Sequence, residues 1–301
     1  MKLFNIEVER SYWLLTIGVV IGIYIWFFFM AMSKFIEIKN SKIEQQSNEE
    51  QELLKEQFVI TQRLKADIGI YDEVSPVFPE GFQQLYTPHF VVYSLNRPLL
   101  DEIVQYVEQI YSAVITDTNL YSFNLSERFP IYVYDDSKMY VECTKRPVWS
   151  GGFVMSRKIY AFDSKNLKNI IYHEVTHLIF NDFMAGKAEK ISRWINEGLA
   201  SYEENKIPDL RKPVFNKSKR LSADEFLTLD LSTASSEKVN IWYQQAESLI
   251  AYMLENYPRA QFYNFLLKLK ETENIDTSIS WGYQSKFNSF SDLESAWSNN
   301  N

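Results

Sequence analysis

Residues 170–180 read IIYHEVTHLIF, and His173 and His177 are two of only three histidines in the chain. Residues four apart lie one above the other on a helix, so these two imidazoles can reach one ion from the same side. Glu174 is turned about 100° around the axis, suited to touching a water at that ion rather than to binding it. Such a pair constrains the fold severely, because two ligands on one helix need a third from another element. That element is legible in RWINEGLASY at 193–202, where Glu197 follows His177 after nineteen residues, 178–196. A carboxylate from a second helix packed on the first completes three protein ligands and leaves one position open, the arrangement of a catalytic zinc site. The expected set is therefore His173, His177 and Glu197 on one Zn²⁺, with Glu174 as general base.

His-Glu-x-x-His, a nineteen-residue gap and Asn-Glu-Gly-x-Ala together resemble the gluzincin metallopeptidases. The NEGLASY string is similar to the aminopeptidase branch, and the gap length to the thermolysin branch. The layout from Tyr86 to Trp297 resembles the bacterial peptidase-MA-like domains, which share the zincin catalytic core. The resemblance implies an α+β zincin-like domain: an N-terminal mixed β-sheet, the HExxH helix, and a helical C-terminal part. It also implies a peptide or protein substrate. The chain lacks the Gly-x-Met-Glu-Asn string with which the aminopeptidase branch recognises a free N-terminus, so the expected activity is that of an endopeptidase.

The remaining sequence frames this domain. Tyr12–Met32 is a run of twenty-one residues without a charge, enough to cross a hydrocarbon core of about 30 Å as a helix, and longer than a cleavable signal core. It is expected to be an uncleaved single-pass anchor in the cell membrane, preceded by a short tail, 1–11. Basic residues flank both ends, and the catalytic domain is placed outside the cytoplasm. Gly18 and Gly22 form a G-x-x-x-G pair that can close-pack two anchors into a dimer. Residues 33–75 are rich in Glu, Gln and Lys with a thin apolar stripe, as in a helical stalk. Prolines at 76 and 79 then open the domain expected over 76–301. A net charge of −8 without a basic stripe excludes a nucleic-acid surface, and the single Cys143 excludes an internal disulfide.

Within the domain, alternation marks strands at 89–95 and 129–134, and a tight hairpin at 151–155 and 158–162 just before the HEVTH helix. By resemblance to zincins, that hairpin is the platform on which extended substrate backbone pairs. Helices are expected from Pro98 to about Val114, from Asp163 or Ser164 to Gly186–Lys187, over 244–257 and 259–270, and over 291–297 with Ser291 and Glu294 as a capping box. His89 is expected to make a structural hydrogen bond. Tyr243, in WYQQAE, resembles the aminopeptidase-branch tyrosine that stabilises the oxyanion, although Gln245 and Ala246 replace the Lys and Gly of that motif. Asn181 and Ser201 lie one turn beyond ligands, where related enzymes place groups that orient them, with Asp182 as competitor.

These readings converge on a membrane-anchored zinc metallopeptidase. The contrasting class is a catalytically silent zincin fold serving as an anchored binding or sensing module, and the intact ligands and intact Glu174 weigh against it. An intramembrane protease is excluded because charged residues surround the HEVTH helix, which lies outside the one spanning run.

Overall fold

The computed structural model describes residues 75–300 except 122–126, 188–190, 207–214 and 285, together with Met30 and Lys34. The apolar run 12–32, its G-x-x-x-G pair and the stalk lie outside those residues, Met30, Lys34 and Ser75 apart. No helix among the described residues is long and apolar enough to cross a membrane.

A five-stranded mixed sheet opens the domain. β1 (Gln83–Tyr86) pairs antiparallel with β2 (Phe90–Ser94), and β2 lies parallel to β3 (Phe129–Tyr134). Parallel neighbours need a crossover, and α1 (Arg97–Thr118) supplies it, capped by Asn96 with Pro98 in its first turn. After the short α2 (Ser137–Thr144) comes the expected hairpin of β4 (Gly152–Met155) and β5 (Lys158–Phe162). β5 pairs parallel with β3, so the order β1-β2-β3-β5-β4 leaves β4 at an edge. The hairpin turns through Ser156 and Arg157 at φ 49 and 61, the left-handed pair that a two-residue hairpin loop requires.

Strand alternation sorts two cores. Phe90, Val92, Phe129, Ile131, Val133, Ile159 and Ala161 face the large core, shared with α1 and with α3 (Leu167–Met184), the helix that carries HEVTH. On the opposite face Tyr93, Tyr132, Tyr160 and Phe153 stand in register on four adjacent strands, β2, β3, β5 and β4. Their rings stack at centroid separations of 4.6, 5.4 and 4.9 Å, forming an aromatic ladder across the sheet. Phe78, from the segment leading into the domain, covers Tyr132 at 4.4 Å.

The rest of the described chain is helical: α4 (Arg193–Glu204), α5 (Ala223–Thr228), α6 (Ser236–Glu255), α7 (Arg259–Thr272), α8 (Ile275–Gly282) and α9 (Phe290–Asn299). Several expected boundaries move. α3 begins at Leu167 rather than at Asp163 or Ser164, and it ends at Ala185, which takes the left-handed cap ahead of Gly186. α6 starts at Ser236 because Ser235 caps it, which puts Tyr243 in the helix interior rather than at its head. α9 is capped by Ser289, not Ser291, and Glu294 closes no capping box, because its carboxylate accepts from Arg220 Nε at 2.6 Å.

Gly198 decides how α4 meets α6. A Cβ there would stand 2.6 Å from the carbonyl oxygen of Ala246, so the two helices touch backbone to backbone. On an open helix surface Gly→Ala would stabilise by about 1 kcal/mol. In this crossing the added methyl must push α6 away, so Gly198→Ala is expected to destabilise by roughly 1–3 kcal/mol, read as a lower midpoint in urea or thermal unfolding. A neutral or stabilising result would mean the crossing is looser than the backbone contact requires.

Candidate metal centre

Helix α3 is buried nearly all round, and it carries His173, Glu174 and His177 into the core, each under 10% exposed. Helix α4 lies against it and brings Glu197, also buried. The Nε2 atoms of His173 and His177 are 3.0 Å apart, and Glu197 Oε2 is 3.7 Å from His177 Nε2. One ligand atom from each of the three residues falls within 4.8 Å of the others. The structure thus gathers the three residues that the sequence spacing nominated.

The hydrogen bonds behind the histidines define what the trio can hold. His173 Nδ1 lies 3.1 Å from Glu204 Oε2, and His177 Nδ1 lies 2.9 Å from Asn196 Oδ1. Asn196 Nδ2 donates to Asn181 Oδ1 at 3.2 Å, in keeping with an Oδ1 turned to His177. A carboxylate and an amide oxygen only accept, so each Nδ1 carries a proton, and in the neutral ring each Nε2 presents a lone pair. With both rings neutral, the two Nε2 atoms 3.0 Å apart and the Glu197 carboxylate oxygen converge as a donor set that a cation would bridge. Two neutral imidazoles and one carboxylate with an open fourth position fit zinc.

Sequence reasoning missed Glu204 and Asn196 as the orienting groups. Glu204 stands seven residues, two turns, beyond Glu197 and so shares its face, while Asn196 directly precedes Glu197 in the NEG string. Asn181 acts one step further out, through Asn196. Asp182 is drawn away by Arg157 of the hairpin turn at 2.9 Å, and Ser201 is buried in α4. Glu203, completely buried, fixes the last turn of α4. Burial pushes its carboxyl up to about 7, against the pull of Lys206 at 3.2 Å. Lys206 also pairs with Asp117 of α1, which Arg259 of α7 holds at 2.6 Å. These ties across α1, α4 and α7 hold Glu204 where His173 needs it.

Glu174 is 1% exposed and sits under the sheet edge. A Cβ on Gly152 of β4 would come within 3.2 Å of Glu174 Cγ and 2.7 Å of Ile170 Cγ2, so the strand presses directly on the helix at the expected base. Tyr243 is also buried, edge-on to Trp242 at 5.0 Å, one turn before the Ala246 that touches Gly198. It therefore lies on the side of α6 that faces α4. His89 is structural, as expected. Its Nδ1 meets Glu108 Oε2 at 2.6 Å, its backbone N–H donates to Glu108 Oε1, and its ring stacks on Tyr111 at 3.9 Å, tying β2 to α1. Burial raises the Glu108 carboxyl, but hydrogen bonds from Thr87 and His89 outweigh it and leave the group below its ordinary value.

A mixed sheet whose edge strand lies over an HExxH helix, and a glutamate delivered by the next helix, define a zincin-like domain. A family model described as the peptidase MA superfamily matches residues 111–300, a span that includes His173, Glu174, His177, Glu197 and Tyr243. The chain belongs to that superfamily, whose members are in general zinc-dependent, and its domain is of the zinc metallopeptidase kind. No curated protein and no solved structure matches the chain.

Because Glu204 orients His173 without belonging to the ligand trio, Glu204→Ala should leave the fold intact and weaken zinc binding by about 10- to 100-fold. Competition of the full chain against a chromophoric chelator measures this. Unchanged affinity would remove Glu204 from the site.

Proposed function

We propose that the protein is a membrane-anchored zinc endopeptidase that cleaves extended peptide segments laid along β4. The single observation carrying this reading is the convergence, in one buried site under a sheet edge, of two Nε2 lone pairs, the Glu197 carboxylate and Glu174. His173, His177 and Glu197 would hold zinc, which when bound supplies Lewis acidity toward water and a peptide carbonyl. Glu204 and Asn196 keep both imidazoles in the ligating tautomer. Glu174 takes the proton of the attacking water and returns it to the departing amine. Its burial beneath Gly152 keeps bulk water from competing for that proton. The backbone of β4 offers the substrate a strand to pair with, so extended conformation is required before side chains are read. Tyr243, on the α4 side of α6, is the candidate donor to the oxyanion that develops on the substrate.

The uncharged run 12–32 supports anchoring, with 33–75 as a stalk and the domain from residue 76 onward held outside the cytoplasm. The Gly18–Gly22 pair supports dimerisation through that anchor.

Incubation of the full chain with a peptide library, with zinc measured in the same sample, tests the reading: one zinc per chain and internal cleavage are expected. Glu174→Gln should retain zinc and lower kcat by about 10²- to 10⁴-fold, since it removes a base and no ligand. Turnover unchanged in that variant would place the base elsewhere. Tyr243→Phe keeps the ring in its packing site, and loss of the hydroxyl is expected to lower kcat by roughly 10²-fold with little change in KM. Near-normal kcat at full zinc occupancy would assign Tyr243 to packing alone.

A further inference from the structure

The two central residues of the β4–β5 turn, Ser156 and Arg157, both take left-handed backbone angles. A two-residue turn of this kind is ordinarily built from Asn and Gly, with Gly in the second place, because a side chain is disfavoured there. Arg157 stands in that second place, and it makes contacts that a glycine could not. Its Nη2 lies 2.9 Å from Asp182 Oδ1, its Nη1 lies 3.4 Å from Glu127 Oε2, and its guanidinium carbon is 4.8 Å from the centroid of the Phe129 ring. Asp182 is the nearer carboxylate and the more enclosed, with 15% of its side chain exposed against 70% for Glu127. It belongs to the last turn of α3, the helix that carries His173, Glu174 and His177.

β4 is therefore attached to the HEVTH helix at two points. At its first residue Gly152 presses on Ile170 and Glu174, and just past its last residue Arg157 grips Asp182. From Glu174 to Asp182 is about 12 Å of helix and a four-residue strand is about 13 Å long, so strand and helix run side by side between the two contacts. The contacts differ in kind. The first is a backbone approach that a side chain at 152 would block. The second is an ion pair half in solvent, of the sort that adds little to global stability. Its effect is local: without it the tip of the hairpin can lift from α3 while the end over Glu174 stays in place. A peptide paired with β4 near Gly152 lies beside Glu174 in either case. Its residues further along, opposite Val154 and Met155, keep their backbone hydrogen bonds to β4 only while the tip is held.

We propose that Arg157 is a positioning residue: by binding Asp182 it holds the tip of the β4–β5 hairpin on α3, so that β4 aligns long peptides with the metal centre over its whole length. This role rests on the endopeptidase reading above and gives that site a preference for substrates extended beyond the bond cut. The test uses the full chain and peptides that the wild type cleaves in the library, shortened stepwise from each end. Two variants break the ion pair from opposite sides. Arg157→Gly also gives the turn the residue its backbone favours, and Asp182→Ala leaves the turn untouched. In the wild type, residues that reach Val154 and Met155 are expected to raise kcat/KM by about 10-fold, as two backbone hydrogen bonds can. Both variants should lose that gain, chiefly as a higher KM, and should cut the shortest peptides within about 3-fold of the wild-type rate, with zinc content and unfolding midpoint unchanged. Arg157→Lys should keep part of the gain. A gain that survives both variants, no gain from length in the wild type, or an equal loss for short and long peptides would overturn the role of Arg157 and leave the endopeptidase reading standing. If the zinc-loaded wild type cuts nothing in the library, the endopeptidase reading falls and the positioning role with it.

Discussion

Two imidazole nitrogens face each other at 3.0 Å inside a protein core, each with the proton of its ring committed to an oxygen on the far side. Left as they are, the lone pairs repel, and the nearby Glu197 carboxylate adds negative charge to the same point. Such an arrangement is held by the surrounding packing, and a cation at that point would be favoured by all three groups. Much of the helical half of the domain can be understood from that requirement. Helix α4 must approach α3 closely enough to deliver Glu197, Asn196 and Glu204 together, and the absence of a side chain at Gly198 allows α6 to press α4 into place.

The charges around the last turn of α4 follow the same logic. Glu204 points to His173, while its neighbour Glu203 is buried among groups from three helices. A wholly buried carboxyl is costly, and Lys206 with its Asp117 and Arg259 contacts offsets part of that cost. What is gained is positional: the turn that carries Glu204 to His173 is fixed to α1 and α7.

The cluster of His173, His177 and Glu197 could be read from sequence because it depends on local periodicity. Four-residue spacing places two histidines on one helix face whatever the tertiary fold, and a second amphipathic segment containing NEG supplied the third residue. β3 was recognised at its true limits, and the hairpin within a residue, because β-branched and aromatic residues alternate there without competition. Other features depend on long-range packing and were not visible. Asn196 reveals its role only when α4 docks beside His177. Asp182 was a plausible orienting group until Arg157, from a hairpin turn twenty-five residues earlier, claimed it. Ser289 and Ser291 are both good caps, and the choice went to Ser289, whose hydroxyl accepts from the Asp292 amide, while Glu294 was recruited by Arg220. β1 and α2 are short and weakly patterned, and they form because the sheet offers them a surface.

Gly152 gives the sheet edge an index mark. A four-residue edge strand has few ladder bonds to hold its alignment, and a slip by one residue exchanges its two faces. Here the slip that brings Phe153 toward Ile170 and Glu174 would drive an aromatic ring into a gap already filled by the helix, where the true alignment presents a residue without a side chain. The groove and the carboxylate beneath it therefore cannot drift independently. A redesign that moved β4 outward would also loosen the packing over Glu174, so the position of the sheet edge and the shielding of that carboxylate are tied together by one missing methyl group.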